Sequence, residues 1–233
     1  MALTSSMLFS SVGKKLLNAV SGLTLLGFIL AHLIGNLTLL TGNSDAFNAY
    51  GHFLIHKTGV LLYVFEYGLI VFFLLHIITA VSVWWDQQVA RPTSYKKTAS
   101  GGDTSKKTLS STTMIYTGAL ILVFAIMHLI TFKYGPAEAQ GYTTIVDGVE
   151  MRDLYRLSIE VFLKPGYLIW YIIANALLGL HIRHGFWSAF QSLGLNHPRC
   201  TPILYKLGIV VALIMGFGFV VIPAYIYFKG GVL

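Results

Sequence analysis

Eight histidines carry most of the chemistry that this sequence offers. Four of them stand alone in long apolar segments, one in each segment: His32, His76, His128 and His181. An ionisable side chain in hydrocarbon is costly unless it has a partner, so each of the four is a candidate for function. Neutral imidazole is also the commonest side-chain ligand of transition metals. The other four lie in or beside the connections between segments: His52, His56, His184 and His197.

The apolar segments are long enough to cross a membrane. The chain of 233 residues is 55% hydrophobic and only 11% charged, whereas a soluble domain carries about 25% charged residues. Charge-free stretches cover residues 16–44, 67–85, 108–132, 165–182 and 207–228, and about 20 helical residues cross a hydrocarbon core. We therefore predict an all-α, five-helix membrane bundle, one domain over residues 1–233 with helices at about 14–40, 60–85, 110–132, 165–188 and 203–228.

Lysine and arginine orient this bundle, because short loops rich in them stay in the cytoplasm. One side carries only two acidic residues, Asp86 and Asp103, against ten basic ones: Lys14, Lys15, Arg91, Lys96, Lys97, Lys106, Lys107, Arg183, Arg199 and Lys206. We predict a multi-pass protein of the cell inner (plasma) membrane with a cytoplasmic N-terminus and, because five is odd, an external C-terminus. The net charge of +7 reflects this topology, and nothing in it indicates nucleic-acid binding.

The four span histidines fall at two depths when the helical rise is counted from each span's midpoint. His32 and His128 lie roughly 7 to 10 Å towards the outer side, and His76 and His181 about 6 to 8 Å towards the inner side. Imidazoles from two facing helices at one level can hold one b-type haem. The pattern therefore predicts two haems b in series across the bilayer, at levels about 15 Å apart.

Other interpretations stay open at this point. A lone histidine in a membrane helix can simply hydrogen-bond to its neighbour, and histidine chains also serve proton-coupled transporters. Transporters often have interrupted helices, whereas Pro165 and Pro223 are expected near the ends of spans. Metal sites in bundles usually add carboxylates, and Glu66 is the only acidic residue inside a predicted span. The single cysteine, Cys200, excludes an iron–sulfur cluster and a disulfide built from this chain alone.

Three short motifs accompany the histidines: Ala31–Asn36 (AHLIGN), Ala46–Asn48 (AFN) followed by His52 and Phe53, and His181–Ser188 (HIRHGFWS). With one histidine per helix, they resemble the dihaem cytochrome b anchor of succinate:quinone oxidoreductases, a group that includes the quinol:fumarate reductases. The resemblance covers all five spans. It implies that His32 and His128 ligate the outer haem iron and that His76 and His181 ligate the inner one. We expect Arg183 and His184 to serve a propionate of the inner haem or the docking surface, with His184 as the alternative ligand to His181.

The resemblance implies partners as well. In the family, a flavoprotein subunit oxidises succinate, and an iron–sulfur subunit passes the electrons to the anchor, here across its basic inner face. The dihaem form resembles enzymes that use menaquinone. The resemblance therefore implies that menaquinone is the quinone and that it binds near the outer haem. The polar residues expected there are Asn36, His52, His56, Glu66, Lys133 and Tyr134. The direction of the reaction stays open between succinate oxidation and fumarate reduction, and a higher oligomer of the complex is compatible with the sequence.

Overall fold

The structure is a computed structural model that describes residues 10–90 and 109–230. Its helices are, in chain order, α1 (Ser11–Leu37), α2 (Ser44–His52), α3 (Val60–Val89), α4 (Leu109–Thr112), α5 (Met114–His128), α6 (Leu154–Phe162), α7 (Pro165–Ser192) and α8 (Thr201–Phe228). Shorter elements are the 3₁₀ turns Thr38–Thr41 and Glu138–Gln140, the π-helical turns Phe53–Lys57 and Leu129–Lys133, and the strands β1 (Thr143–Val146) and β2 (Val149–Arg152).

Five of the described helical segments are long and apolar enough to span a membrane: α1 with the 3₁₀ turn that continues it to Thr41, α3, α5 with the π-helical turn that continues it to Lys133, α7 and α8. The mostly helical chain therefore agrees with the predicted all-α membrane bundle. The helices run further than expected at the side of Asp86, where α3 continues to Val89 and α7 to Ser192. Six charged residues used to orient the bundle lie outside the described residues: Arg91, Lys96, Lys97, Asp103, Lys106 and Lys107.

The helices begin where the sequence supplies caps. The side chains of Ser10 and Asn43 accept hydrogen bonds from backbone N–H groups in the first turns of α1 and α2, at 3.1 and 2.9 Å. Asp153 does the same for α6, accepting from Arg156 N at 3.0 Å. Pro165 opens α7 at a position where its missing N–H leaves no helical bond unmade. These side chains satisfy one first-turn donor in each of α1, α2 and α6, whereas α3 and α8 begin without a side-chain cap.

Small residues set the packing of the spans, as is typical of membrane helices. A Cβ added to Gly179 of α7 would lie 3.1 Å from the carbonyl oxygen of Ala212 in α8. A Cβ on Gly218 would lie 2.7 Å from Leu33 of α1, so these three helices approach closely. Pro223 is buried inside α8 rather than at its end. By contrast, Thr79 is the only buried residue of α3, and many of the large apolar side chains of this helix are exposed.

The connections hold more structure than five spans and loops. Asp147 and Gly148 form a two-residue turn, both with positive φ (51° and 77°), between the antiparallel strands β1 and β2. Glycine reaches such angles without strain, and Asp-Gly is a strong hairpin signal because aspartate tolerates the left-handed region. We call α2, this hairpin and α6 together the hairpin cap, and its end of the bundle the hairpin side. The opposite end, which carries Cys200, is the Cys200 side.

One buried side chain ties the hairpin cap together. Asn48 of α2, 2% exposed, donates to the carboxylate of Asp153 and accepts from Tyr155 N, both at 2.9 Å. At the surface, hydrogen bonds from Tyr142 (2.5 Å) and Arg156 (2.7 Å) lower the pKa of the Glu160 carboxyl from its ordinary value. The cap is therefore ordered over the hairpin-side ends of the long helices.

Candidate functional site

The four span histidines meet in two pairs. In the first, the hairpin-side pair, the rings of His32 (α1) and His128 (α5) stand 5.7 Å apart, centroid to centroid, with their planes at 90°. Aromatic rings surround them: His32 stacks on Phe28 at 5.5 Å, and His128 stacks on Phe124 at 5.8 Å. Both imidazoles are half-buried. The pair therefore sits between two helices in an aromatic setting.

The second, the Cys200-side pair, joins His76 of α3 to His181 of α7 at 6.3 Å, with the ring planes at 72°. Glycines make room for both rings. A Cβ on Gly22 of α1 would lie 3.1 Å from His76 Cε1, and one on Gly118 of α5 would lie 3.4 Å from His181 Cε1. Side chains at these two positions would crowd the imidazoles.

The two pairs lie at levels about 15 Å apart. Gly22, against the Cys200-side pair, precedes His32 by ten residues on α1, and ten helical residues rise about 15 Å. On α5, Gly118 and His128 are separated by the same ten residues. The pairing and the spacing in depth expected from the sequence are thus present in the structure. That these imidazoles ligate haem iron stays a prediction.

A hydrogen bond fixes the protonation of one Cys200-side imidazole. His76 Nδ1 lies 3.4 Å from the backbone oxygen of Asn18, an acceptor only, so Nδ1 carries the proton and Nε2 presents a bare lone pair. His181 Nδ1 lies 3.1 Å from Thr117 Oγ1, and the backbone oxygens of Thr113 and Met114 lie 3.2 and 3.1 Å from the same hydroxyl. A hydroxyl can donate or accept, so this contact alone allows either tautomer of His181.

The hairpin-side pair has a different partner. His128 Nδ1 lies 3.0 Å from the hydroxyl of Tyr171, a side chain of α7 that is 5% exposed. A phenol can donate or accept, so this contact alone allows either tautomer. Nearby, the indole N–H of Trp170 is buried and has no hydrogen-bond partner among the described residues. Trp170 packs on Phe124, which also stacks on His128.

A cavity of about 180 Å³ opens beside the hairpin-side pair. Both histidines of the pair line it, together with Asn36 and residues of the hairpin cap such as Phe47 and Ser158. Asn36 donates its side-chain N–H to the backbone oxygen of His32 at 2.8 Å. Of the polar residues predicted for a quinone site, Asn36 is the one that lines this cavity in the described part of the chain.

The remaining predicted quinone residues form two other groups. Glu66 of α3 and Lys133, at the end of the π-helical turn after α5, make an ion pair, and the Lys133 ammonium lies 5.9 Å from the centre of the Tyr134 ring. His52 and His56 stack on each other at 4.2 Å, along the other π-helical turn. The structure therefore divides the six predicted residues among the cavity and these two groups.

Arg183 and His184 lie on α7, in the turns after His181. The Arg183 guanidinium donates to the hydroxyl of Tyr205 on α8 at 3.3 Å. His181 is the histidine that pairs with His76, and His184 is half-buried on the Cys200 side. In this arrangement His184 is not the partner of His76.

The residues that contact the imidazole Nδ1 atoms are not among the candidates that the sequence indicates. They are Asn18, Thr117 and Tyr171. A depth count could have found two of them, because Thr117 precedes His128 by eleven residues and Tyr171 precedes His181 by ten. Each is a polar group placed about 15 Å along its helix, at the level of the other pair.

The arrangement can present two imidazole nitrogens to one ligand at each level. In the described ranges, no three of the His, Cys, Asp and Glu side chains gather closely enough to hold a metal ion. A bare zinc or copper site commonly takes three or four protein ligands, which is more than the two imidazoles of each pair. Comparison with protein-family models, with curated proteins and with solved structures found no match for this chain.

Proposed function

We propose that this chain is the cytochrome b membrane anchor of a succinate:menaquinone oxidoreductase, holding two b-type haems and passing electrons between an iron–sulfur subunit and membrane quinone. One observation carries the proposal: two histidine pairs at two levels, each joining different helices, at 5.7 and 6.3 Å. The motifs around His32 and His181 resemble those of this anchor family, and the geometry of the two pairs supports haem as the cofactor.

The ring separations suit one metal between two imidazoles. With metal–nitrogen bonds of about 2 Å, as imidazole makes to zinc, the two ring centres would stand roughly 6 Å apart. Both pairs meet this value. A porphyrin brings most of the iron's ligands itself, so two protein ligands would complete the set. His32 and His128 would hold one haem, and His76 and His181 the other.

The ligand atoms have the required protonation where the hydrogen bonds define it. In the Cys200-side pair, Nδ1 of His76 faces a backbone oxygen, which can only accept, and Nδ1 of His181 faces the Thr117 hydroxyl, which can accept its proton. Metal-bound histidine almost always donates its other N–H to such an acceptor. The unpartnered Trp170 N–H also fits a group with polar edges. A bound haem supplies one-electron redox chemistry.

The rest of the chain would serve the two ends of this electron path. On the Cys200 side, Arg183 and Lys206 contribute to the positive surface that we propose for the iron–sulfur subunit, with the flavoprotein beyond it, since opposite charge steers docking. On the hairpin side, the carboxylate of Glu66 and the ammonium of Lys133 could exchange the protons of a reduced quinone, because they lie in contact and remain partly exposed.

The first test measures pigment. A pyridine haemochrome assay on the purified complex should find two haems b per chain. His32→Ala should lose the hairpin-side haem alone, and His181→Ala the Cys200-side haem alone, because each removes one ligand of one pair. His197→Ala is the matched control, since His197 lies in the connection between α7 and α8, and it should keep both haems.

Two results would count against the proposal. If the natural chain is folded but colourless, it binds no haem, and the proposed anchor function is wrong. This result would favour a proton-coupled transporter. Loss of both haems in every variant, including the control, would mean that the substitutions act on folding rather than on ligation. Succinate:menaquinone activity of the whole complex, measured in both directions, then separates succinate oxidation from fumarate reduction.

A further inference from the structure

We propose that Thr117 and Tyr171 are positioning residues, one for each histidine pair, and that their hydroxyl oxygens accept the Nδ1 protons of His181 and His128. The inference rests on the proposed function, because it takes Nε2 of each histidine as the iron ligand. For each haem, a hydroxyl from the helix that faces the histidine would orient one ligand and so adjust the redox potential of that haem alone.

Thr117 is well placed for this role. It is 6% exposed, and its hydroxyl reaches His181 across from α5 to α7. Two carbonyl oxygens of its own helix lie within hydrogen-bond distance and can take the hydroxyl proton. The oxygen then has a lone pair for the Nδ1 proton, and the two hydrogen bonds form a short chain from imidazole to backbone. In this arrangement the chain sets both the tautomer of His181 and the plane of its ring.

Tyr171 plays the same part from the opposite direction. It belongs to α7, the helix of His181, but contacts His128 on α5. Rings from Phe124 and Phe162 pack edge-on against it at 4.9 and 5.0 Å, so the phenol cannot swing away without disturbing the core. Once Nε2 of His128 binds a metal, a neutral imidazole carries its proton on Nδ1. The phenol oxygen must then accept it.

These bonds have a consequence for redox potential. A histidine that donates its Nδ1 proton to an acceptor is a more basic ligand at Nε2. A more basic ligand favours the ferric over the ferrous state, which lowers the midpoint potential. Removing the acceptor should therefore raise the potential of the haem concerned and leave the other unchanged, since the two levels lie about 15 Å apart.

The experiment is a spectroelectrochemical titration of each haem in the purified complex. Thr117→Val keeps the shape of the side chain without its hydroxyl, and Tyr171→Phe removes only the phenol oxygen. The controls are Thr131→Val, whose hydroxyl donates to its own helix at 2.8 Å, and Tyr167→Phe, one turn from Tyr171. Combining Thr117→Val with His32→Ala, and Tyr171→Phe with His181→Ala, leaves one haem to titrate in each case.

We expect a shift to more positive potential in the Cys200-side haem of Thr117→Val and in the hairpin-side haem of Tyr171→Phe, with changed ferric EPR g-values for that haem only. Thr117→Ser should restore the natural values. Two haems with unchanged potentials in both variants would overturn this inference and leave the proposed function standing. A variant that loses its haem supports the role if Thr117→Ser keeps it, and contradicts the role if Thr117→Ser loses it too. A natural chain without haem overturns the proposed function instead.

Discussion

At the scale of single residues, the absence of a side chain matters as much as its presence. The imidazole of His76 lies against α1 where residue 22 is glycine, and a Cβ there would come within 3.3 Å of two ring atoms. Real Cβ atoms rarely approach so closely, so either the ring or the helix would have to move. The ring has little freedom, because its Nδ1 is held by the backbone of the same helix.

Gly22→Ala should therefore displace His76 and weaken haem binding at the Cys200-side pair. Changes next to metal ligands typically cost about tenfold or more in affinity. Gly27→Ala is the matched control, since a Cβ at Gly27 of the same helix meets nothing within 4 Å, and alanine favours a helix by about 1 kcal/mol over glycine. Haem retained per chain after detergent washing measures the difference. Equal retention in both variants would contradict a tight fit at Gly22.

Some of these residue contacts could be predicted from the sequence, and others could not. The pairing of His32 with His128 and of His76 with His181 was predictable, because the helical rise turns sequence position into depth. A depth count places Thr117 and Tyr171 at the right levels but does not predict their contacts with Nδ1, because depth says nothing about which face of a helix a residue occupies. Thr117 and His181 are 64 positions apart in the chain, and only the packing of α5 against α7 brings them into contact.

At the scale of elements, the hairpin cap is the part of the fold that a count of apolar segments misses. Its elements are short, and their stability comes from contacts between distant segments rather than from long apolar runs. The Asp147-Gly148 signal was in the sequence, between β-branched residues, and a search for hairpins would have found it. The two hydrogen bonds of Asn48 could not be predicted in this way, because both partners lie more than a hundred positions away in the chain.

Asn48→Ala should loosen the cap without disturbing the spans. It removes two hydrogen bonds and leaves the buried N–H of Tyr155 without its acceptor, which costs about 2 kcal/mol. We expect faster proteolysis and hydrogen exchange over β1, β2 and α6, and a lower midpoint of thermal unfolding. Ser44→Ala is the control, because the Ser44 hydroxyl makes only an exposed contact with Asp45. Unchanged exchange in the cap would show that Asn48 does not hold it.

At the scale of the whole molecule, charge divides the bundle along its length. The described part of the Cys200 side carries Lys14, Arg183, Arg199 and Lys206, whereas acidic residues such as Glu138, Glu150 and Glu160 belong to the hairpin side. The 28 residues of α7 join the two sides, and at 1.5 Å per residue they extend about 42 Å, enough to cross a bilayer. The positive-inside rule then predicts that the Cys200 side faces the cytoplasm.

The single cysteine makes this orientation directly testable. Cys200 is exposed in the connection between α7 and α8, so a maleimide that cannot cross membranes should label the natural chain in inside-out vesicles and not in intact spheroplasts. Cys200→Ser combined with Glu150→Cys moves the thiol to exposed strand β2 and should reverse the pattern. Labelling of Cys200 in spheroplasts alone would invert the topology. Labelling of both positions from the same side would mean that α7 does not cross the membrane, since a helix that spans the bilayer must separate its two ends.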